Sequence, residues 1–226
     1  MLKLNPTNVK AHYRSASALL ALDKAHEALD VCYRGLQIEP SNLAIQKLSD
    51  KVQARVKVKN EQDRRKRAEV VRLRREKATL YAAIKSRNIN MRGTAKPPDM
   101  DDADIHLTPD PLSPKSTLVF PVVLLYPMHN QSDFIKVFAE KDPIIDHLTC
   151  IMPLPWDNKG EYSVDTVDCY MDTVSGGLVK VGKKKSLLEA LSDQKTEVVD
   201  GLVRIHVVPA KAAPKWIEEV KKKKGK

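Results

Sequence analysis

The stretch that decides the fold is residues 1–42, in which one phrase occurs twice. Leu2-x-Leu4-x-Pro6-x-Asn8 returns 34 positions later as Leu36-x-Ile38-x-Pro40-x-Asn42. Between the two prolines, apolar and small residues recur every three or four positions in two separate runs, which predicts two α-helices. Asp23-Lys24 lies between the runs, where a turn is expected, and each proline marks a helix boundary. Residues 1–42 therefore predict an α-helical hairpin.

The spacing between the two phrases indicates which kind of hairpin this is. A helix pair that recurs with a period of about 34 residues is typical of tetratricopeptide repeats. One such pair cannot bury its apolar face alone, and about three stacked units usually share a core. Residues 1–42 hold one whole repeat and the end of another, so we expect an array that begins before Met1, with its N-terminal repeats missing from this sequence. An ordinary helical hairpin that matches the repeat by accident is the alternative.

Length, charge and cysteine usage limit the class of protein. The chain has 226 residues, enough for one large or two small domains, and a net charge of +10. It has no apolar run of membrane-spanning length and no signal-peptide pattern, so we expect no membrane partner. Cys32, Cys150 and Cys169 are widely spaced, which indicates reduced thiols rather than disulfides or a zinc site. We therefore expect a cytoplasmic protein, with the nucleus as a second compartment.

The segment 43–92 contains no Gly or Pro and predicts a long helix. Leu48, Val52 and Val56 recur every four residues and predict an apolar stripe that caps the open end of the repeats. Between Lys51 and Lys77, however, twelve residues are cationic and four are acidic. This basic stretch is a solvated linker helix in one interpretation. In the other, its cations bind RNA or the ribosome surface by charge alone.

A linker and a second domain follow the helix. Residues 93–116 are rich in Pro and Asp and predict no regular structure. Residues 118–126 are almost all apolar or β-branched, which is typical of a strand buried on both faces. The predicted elements are strand 118–126, helix 134–138 capped by Ser132-Asp133, helix 144–152, strand 162–171, strand 178–181, helix 187–191 and strand 202–208. This order favours an α+β domain at 117–220 with a central twisted sheet covered by helices, followed by a basic tail at 221–226.

The second domain contains residue types that occur in enzyme sites, but they form no catalytic motif. The segment 176–185 is rich in Gly and Lys, yet it lacks the G-x-x-x-x-G-K-[ST] spacing of a phosphate loop and is predicted to lie on a strand. Asp146, His147 and Cys150 fit one turn of a helix that faces a core. We therefore expect a protein that is not an enzyme and that needs no metal or cofactor.

Five phrases of the second domain form a distinctive set. They are Phe120-Pro-Val-Val-Leu-Leu-Tyr-Pro127, Ser132-Asp-Phe-Ile135, Asp146-His-Leu148, Pro155-Trp-Asp157 and Gly176-Gly-Leu-Val-Lys-Val-Gly-Lys-Lys184. Together they resemble the C-terminal wheel domain of a co-chaperone family. With the repeat and the charged helix, the chain resembles the tetratricopeptide-repeat-4 class of heat-shock protein 90 co-chaperones. The resemblance implies an adaptor between heat-shock proteins 90 and 70 and client proteins, among them translation elongation factor 2.

The same resemblance implies a role for two cations of the first helix. Lys10 and Arg14 are four residues apart, so they project from one side of the helix, and spacing alone indicates only solvated surface. In the co-chaperones that this chain resembles, a Lys and an Arg at these positions of the last repeat belong to a carboxylate clamp for chaperone C-terminal tails. An ammonium and a planar guanidinium suit a carboxylate chemically. Earlier repeats would supply the remaining Asn and Lys of the clamp, so these two residues alone are expected to bind weakly.

Overall fold

A computed structural model describes residues 6–100 and 102–224 of the chain. Residues 1–5, with the first half of the repeated phrase, and residues 225–226 of the predicted tail lie outside the described residues. The chain divides into two compact units, Met1–Arg74 and Arg75–Lys226, which are considered separately. Among the described helices, none combines the length and the apolar composition that crossing a bilayer requires.

The first unit is built from two short helices and the start of a long one. Helix α1 spans Val9–Ala21, α2 spans Ala25–Ile38 and α3 spans Leu43–Ser86. The two helices and the turn at Asp23-Lys24 therefore lie where the sequence places them, and Asp23 adopts the left-handed conformation (φ 57°) that the turn requires. The side chain of Asn8 caps α1 by accepting a hydrogen bond from the backbone N–H of Ala11 at 3.0 Å.

The apolar faces of these helices meet in one small core. Its fully buried members come from all three helices and are Ala16, Ala25, Ala28, Cys32, Ile45, Val52 and Val56. Gly35 of α2 brings the helices close together, because a Cβ there would lie 2.9 Å from Ile45 Cδ1 and 3.1 Å from His12 Cβ. The apolar stripe of the long helix thus packs against the hairpin only over its first turns.

Helix α3 is continuous from Leu43 to Ser86 and ends six residues before the predicted limit of 92. Asn88 takes the left-handed conformation (φ 54°), and the N–H of Ile89 bonds back to the Ile84 carbonyl at 3.3 Å. This is a helix-ending motif in which Asn replaces the usual Gly, with a buried apolar residue after it. The following residues leave the helix and form strand β1, Met91–Arg92.

The second unit is a mixed sheet with helices. Its remaining elements are β2 (His106–Thr108), β3 (Thr117–Tyr126), β4 (Gln131–Ala139), α4 (Ile144–Ile151), β5 (Val167–Asp172), β6 (Leu178–Val181), α5 (Leu187–Leu191), β7 (Val198–Val199), β8 (Val203–Pro209) and α6 (Ala213–Lys224). The six-stranded sheet has the order β2-β3-β8-β5-β6, and β4 also pairs with β3. Strands β3 and β8 are parallel, whereas the other pairs in this sheet are antiparallel. Strands β1 and β7 form a separate parallel pair.

Strand β3 lies in the interior of the sheet, as its apolar sequence predicts. It pairs with three strands, and Phe120, Val122, Leu124 and Tyr126 are each fully buried. Helices α4 and α5 add Ile144, Leu148, Leu187 and Leu191 to the same core, which extends to Ala83 and Ile84 at the end of α3. The side chain of Ser186 caps α5 in a capping box with Glu189.

The prediction of a helix at 134–138 is wrong, because these residues belong to strand β4. Asn130 (φ 52°) makes a tight connection after β3, and β4 runs back antiparallel along it. Asp133 does not cap a helix; its carboxylate accepts a hydrogen bond from the Tyr126 hydroxyl at 2.8 Å. A five-residue apolar run has no decisive period, and pairing with β3 decides its structure.

Three other element boundaries differ from the predictions. The linker 93–116 contains strand β2, which pairs with the first residues of β3 and buries Leu107. The strand predicted at 162–171 begins only at Val167, because residues 163–166 form a turn with internal hydrogen bonds. Lys221–Lys224 of the predicted basic tail continue helix α6. Strand β2 thus depends on pairing with β3, whereas a local turn sets the start of β5.

Candidate peptide-binding groove

The two predicted clamp residues lie on the exposed side of α1. Lys10 and Arg14 are both exposed, one turn apart, and the neighbouring Ala11 and His12 are buried. Among residues 6–100 and 102–224, no ion pair or hydrogen bond engages either cationic side chain. The helix therefore presents both charges to solvent, as the clamp interpretation requires.

A groove runs along this side of the first unit between α1 and the start of α3. Its larger part, of about 880 Å³, is lined by Tyr13, Ser17, Leu20, Ala21, Leu43, Ala44, Lys47, Leu48 and Lys51. A second part, of about 380 Å³, shares Tyr13 and Ala44 and adds Val9, Lys10, Glu39, Asn42 and Ile45. The structure thus places Lys10 on the wall of the groove. Arg14 lines neither part, although it is on the same helix one turn further along.

Large apolar side chains are exposed in and beside the groove. Leu43 is 70% exposed and Tyr13 40% exposed, so both offer apolar area to solvent at the groove. Glu39 is the one acidic residue among the lining residues described, and its carboxylate accepts a hydrogen bond from Asn42 Nδ2 at 3.1 Å. The lining therefore combines apolar area with cationic charge, which suits an acidic peptide that has apolar side chains.

Sequence reasoning missed the α3 side of this groove. The sequence predicts only a capping stripe for Leu48 and a place in the basic stretch for Lys51, and it assigns no role to Lys47. The spacing of four residues between Lys47 and Lys51 is the signal that they share a face, but which face that is follows only from the packing of α3 on the hairpin. Lys10 was found because the repeat register, and not its charge, marks the position.

The basic stretch of α3 is a second candidate surface. Every residue from Asn60 to Arg75 is exposed. Arg65 pairs with Glu61 at 2.8 Å. The stretch contains no aromatic residue on which a base could stack.

The catalytic residue types of the second unit are not assembled into a site. The ring of His147 stacks on Phe138 at 3.7 Å, and its Nε2 lies 3.4 Å from Asp142, while Cys150 is exposed. Burial raises the pKa of the Cys169 thiol to about 12 and raises that of Cys32 as well, so neither is a nucleophile at neutral pH. Within the described residues, no three His, Cys, Asp or Glu side chains are grouped as a metal site requires.

Trp156 belongs to an aromatic cluster at one end of β3. Its ring lies 5.1 Å from Tyr126, 5.1 Å from Tyr162 and 5.0 Å from His129. Asp157 fixes the loop by accepting hydrogen bonds from the backbone N–H groups of Tyr162 and Glu161. These contacts account for Trp156 as a packing residue of the loop.

Comparison with known proteins agrees with this architecture. Residues 110–220 match the family model "Cns1/TTC4 Wheel domain". The chain is 37% identical over 99% of its length to the Hsp70/Hsp90 co-chaperone cns1 of Schizosaccharomyces pombe, covering 63% of that protein. It is 28% identical over 99% of its length to CNS1 of Saccharomyces cerevisiae, covering 60%, and 30% identical over 85% to human tetratricopeptide repeat protein 4, covering 54%. The chain thus spans between 54% and 63% of the length of these relatives.

Solved structures show the same likeness. The structure of Hsp90 co-chaperone Cns1 from Saccharomyces cerevisiae (delta69) matches with a TM-score of 0.83 and 25% identity, over 99% of this chain and 74% of that one. The structure of the C-domain of Cns1 from the same organism matches with a TM-score of 0.61 and 26% identity, over 66% of this chain and 95% of that one. The chain belongs to the Cns1/TTC4 family, whose Wheel domain it contains at residues 110–220.

Proposed function

We propose that this chain acts in a non-enzymatic co-chaperone that connects heat-shock proteins 90 and 70 to client proteins. Its relatives are named Hsp70/Hsp90 co-chaperones, and the similarity extends over 99% of the chain. In this proposal the helices α1, α2 and the start of α3 are the last tetratricopeptide repeat and its capping helix. The exposed pair Lys10 and Arg14 binds the terminal carboxylate of a chaperone tail. The C-terminal domain holds the client, with translation elongation factor 2 as the proposed example.

The observation that carries this proposal is the exposure of Lys10 and Arg14 beside the groove. Elsewhere in the first unit an exposed cation is paired within its own helix, as Arg34 is with Asp30 at 2.7 Å on α2. Lys10 and Arg14 have no such partner among the described residues, and Lys10 lines a cavity instead. Exposed cations without a partner among the described residues, next to a groove, are suited to binding an anionic ligand from outside the chain.

The clamp is tested by calorimetry with the full-length protein and a heat-shock protein 90 C-terminal peptide. We expect Lys10→Ala or Arg14→Ala to weaken binding about 10-fold or more, because each removes a charge-assisted hydrogen bond to the carboxylate. The same peptide with an amidated C-terminus should bind weakly to every variant. Lys57→Ala, which removes an exposed cation outside the groove, is the matched control. Unchanged affinity in both clamp variants would reject the clamp.

A second candidate function follows from the exposed basic residues of the stretch 60–75. In this alternative the basic helix binds RNA or the ribosome through phosphate contacts, without base recognition. Replacing Arg64, Arg65, Lys66 and Arg67 with Gln should lower the slope of log affinity against log salt by about 3 for a structured RNA, because each lost contact removes about 0.7–0.9. Neutralising Lys221, Lys222 and Lys223 in α6 is the control. RNA binding that persists unchanged in the α3 variant would exclude this function.

A further inference from the structure

The α3 wall of the groove has cations of its own. Lys47 and Lys51 both line the larger part of the groove, both are exposed, and both lie within the first unit. Neither makes an ion pair or hydrogen bond with any residue in 6–100 or 102–224. The groove is therefore cationic on two sides, with Lys10 on α1 and these two lysines on α3.

Two other cations of α3, Arg55 and Lys59, do form hydrogen bonds within the first unit, in contrast to Lys47 and Lys51. Arg55 Nε lies 2.7 Å from Asp23 Oδ1, and Lys59 donates to the Asp23 backbone oxygen at 2.6 Å and to Oδ2 at 3.3 Å. The hydrogen bonds from Arg55 and Lys59 lower the pKa of the Asp23 carboxyl group. These two cations connect α3 to the turn between α1 and α2. Lys47 and Lys51, which line the groove, make no such connection.

We propose that Lys47 and Lys51 are a second anionic subsite of the groove, which binds two acidic side chains of a peptide upstream of its C-terminal end. The two lysines are one helical turn apart, a rise of about 6 Å. Alternate residues of an extended peptide are separated by about 6.6 Å and point to the same side. An extended peptide with acidic residues at alternate positions therefore matches the pair. The proposal rests on the proposed function for the direction of the peptide, whose terminal carboxylate is at Lys10 and Arg14.

The lining of the groove favours a peptide over other polyanions. Tyr13, Leu20, Leu43 and Leu48 offer apolar area between the two sets of cations, and a nucleic-acid backbone has no side chain to fill it. The length of α1 from Val9 to Ala21 corresponds to about 18 Å, which an extended chain of about five or six residues spans. The ligand class is thus a short acidic segment with apolar residues between the acids.

The experiment uses two synthetic peptides and the full-length protein. Both peptides share the last two residues of the heat-shock protein 90 C-terminus and a free carboxylate. One has glutamate at two alternate upstream positions, and the other has glutamine there. We expect the double variant Lys47→Ala/Lys51→Ala to bind the glutamate peptide about 3- to 10-fold more weakly at low salt, with little change for the glutamine peptide. The difference should shrink as salt is raised, since both lysines are exposed.

The clamp variant and the control variant separate this proposal from the proposed function. If the clamp is correct, Lys10→Ala should lower the affinity for both peptides equally. If the clamp is wrong, Lys10→Ala should change neither affinity, and both results are independent of the α3 lysines. Lys57→Ala should leave both peptides unchanged, because Lys57 is on α3 but outside the groove. If the Lys47→Ala/Lys51→Ala variant loses affinity equally for both peptides, or loses it for neither, the proposal of a second subsite is wrong. Melting temperatures equal to that of the unmodified protein would show that the variants are folded.

Discussion

Replacing Arg87 with Ala is expected to cost about 3–5 kcal/mol of the free energy of unfolding of the second unit, because it leaves a buried carboxylate without its counter-ion. The side chain of Glu140 is 2% exposed and that of Arg87 15% exposed. Arg87 Nη2 donates to Glu140 Oε1 at 2.9 Å, and Nε contacts Oε2. The same oxygen Oε1 also accepts from the backbone N–H of Leu118 at 3.0 Å.

The guanidinium group of Arg87 connects several chain segments in addition to neutralising the Glu140 carboxylate. Its Nη2 donates to the Ser116 carbonyl at 2.8 Å, and its Nη1 donates to the carbonyls of Ala83 and Pro114, each at 3.2 Å. Arg87 therefore joins the end of α3, the residues before β3 and the end of β4. The Arg87→Lys variant should be more stable than Arg87→Ala but less stable than the unmodified protein, since one ammonium group cannot reproduce the planar set of donors.

Chemical denaturation of the Arg87→Ala variant measures the cost. Lys180→Ala, which breaks an exposed cross-strand pair with Asp168 in the same sheet, is the control and should have a much smaller effect. Arg87→Met combined with Glu140→Gln should be more stable than Arg87→Ala alone, because no unpaired charge is then buried. An Arg87→Ala protein within about 1 kcal/mol of the unmodified one would contradict the buried-pair argument.

The sequence predicted elements whose cause is local, and it failed where the cause is a distant partner. Strand β3 was recognisable because its apolar run is complete within a few residues. Strand β4 was assigned to a helix because its residues are compatible with both structures until β3 pairs with them. The pair of Arg87 and Glu140, separated by 53 residues, leaves no local pattern at all.

The residues of the candidate groove also fall into those that a local sequence pattern predicts and those that depend on helix packing. Lys10 and Arg14 are predicted from the sequence because a repeat fixes the position of a residue relative to its own helix. The groove itself depends on the angle at which α3 packs on the hairpin, with Gly35 allowing His12 and Ile45 to approach α2. No spacing within residues 43–51 shows that Lys47 faces α1. Binding residues supplied by a second helix therefore became visible only in the structure.

Replacing Trp216 with Ala is expected to detach helix α6 from the sheet while the sheet itself stays folded. Trp216 is 6% exposed and packs with Tyr170, Val208 and Ala213 in a cluster separate from the main core. Its ring lies 5.6 Å from that of Tyr170 and 5.3 Å from that of His206. Loss of a buried Trp costs about 3–5 kcal/mol. A helix of 12 residues is marginal in water without packing, so α6 cannot compensate for this loss by itself.

Hydrogen exchange resolved by peptide separates this local effect from general unfolding. In the Trp216→Ala variant, amides of Ala213–Lys224 should exchange much faster, whereas those of β3 and β8 keep their protection. Ile217→Ala is the matched control, because Ile217 is the next residue of the helix but is only partly buried, and it should cause a smaller loss. Unchanged protection of α6, or equal loss across β3, would show that Trp216 does not hold the helix as the packing indicates.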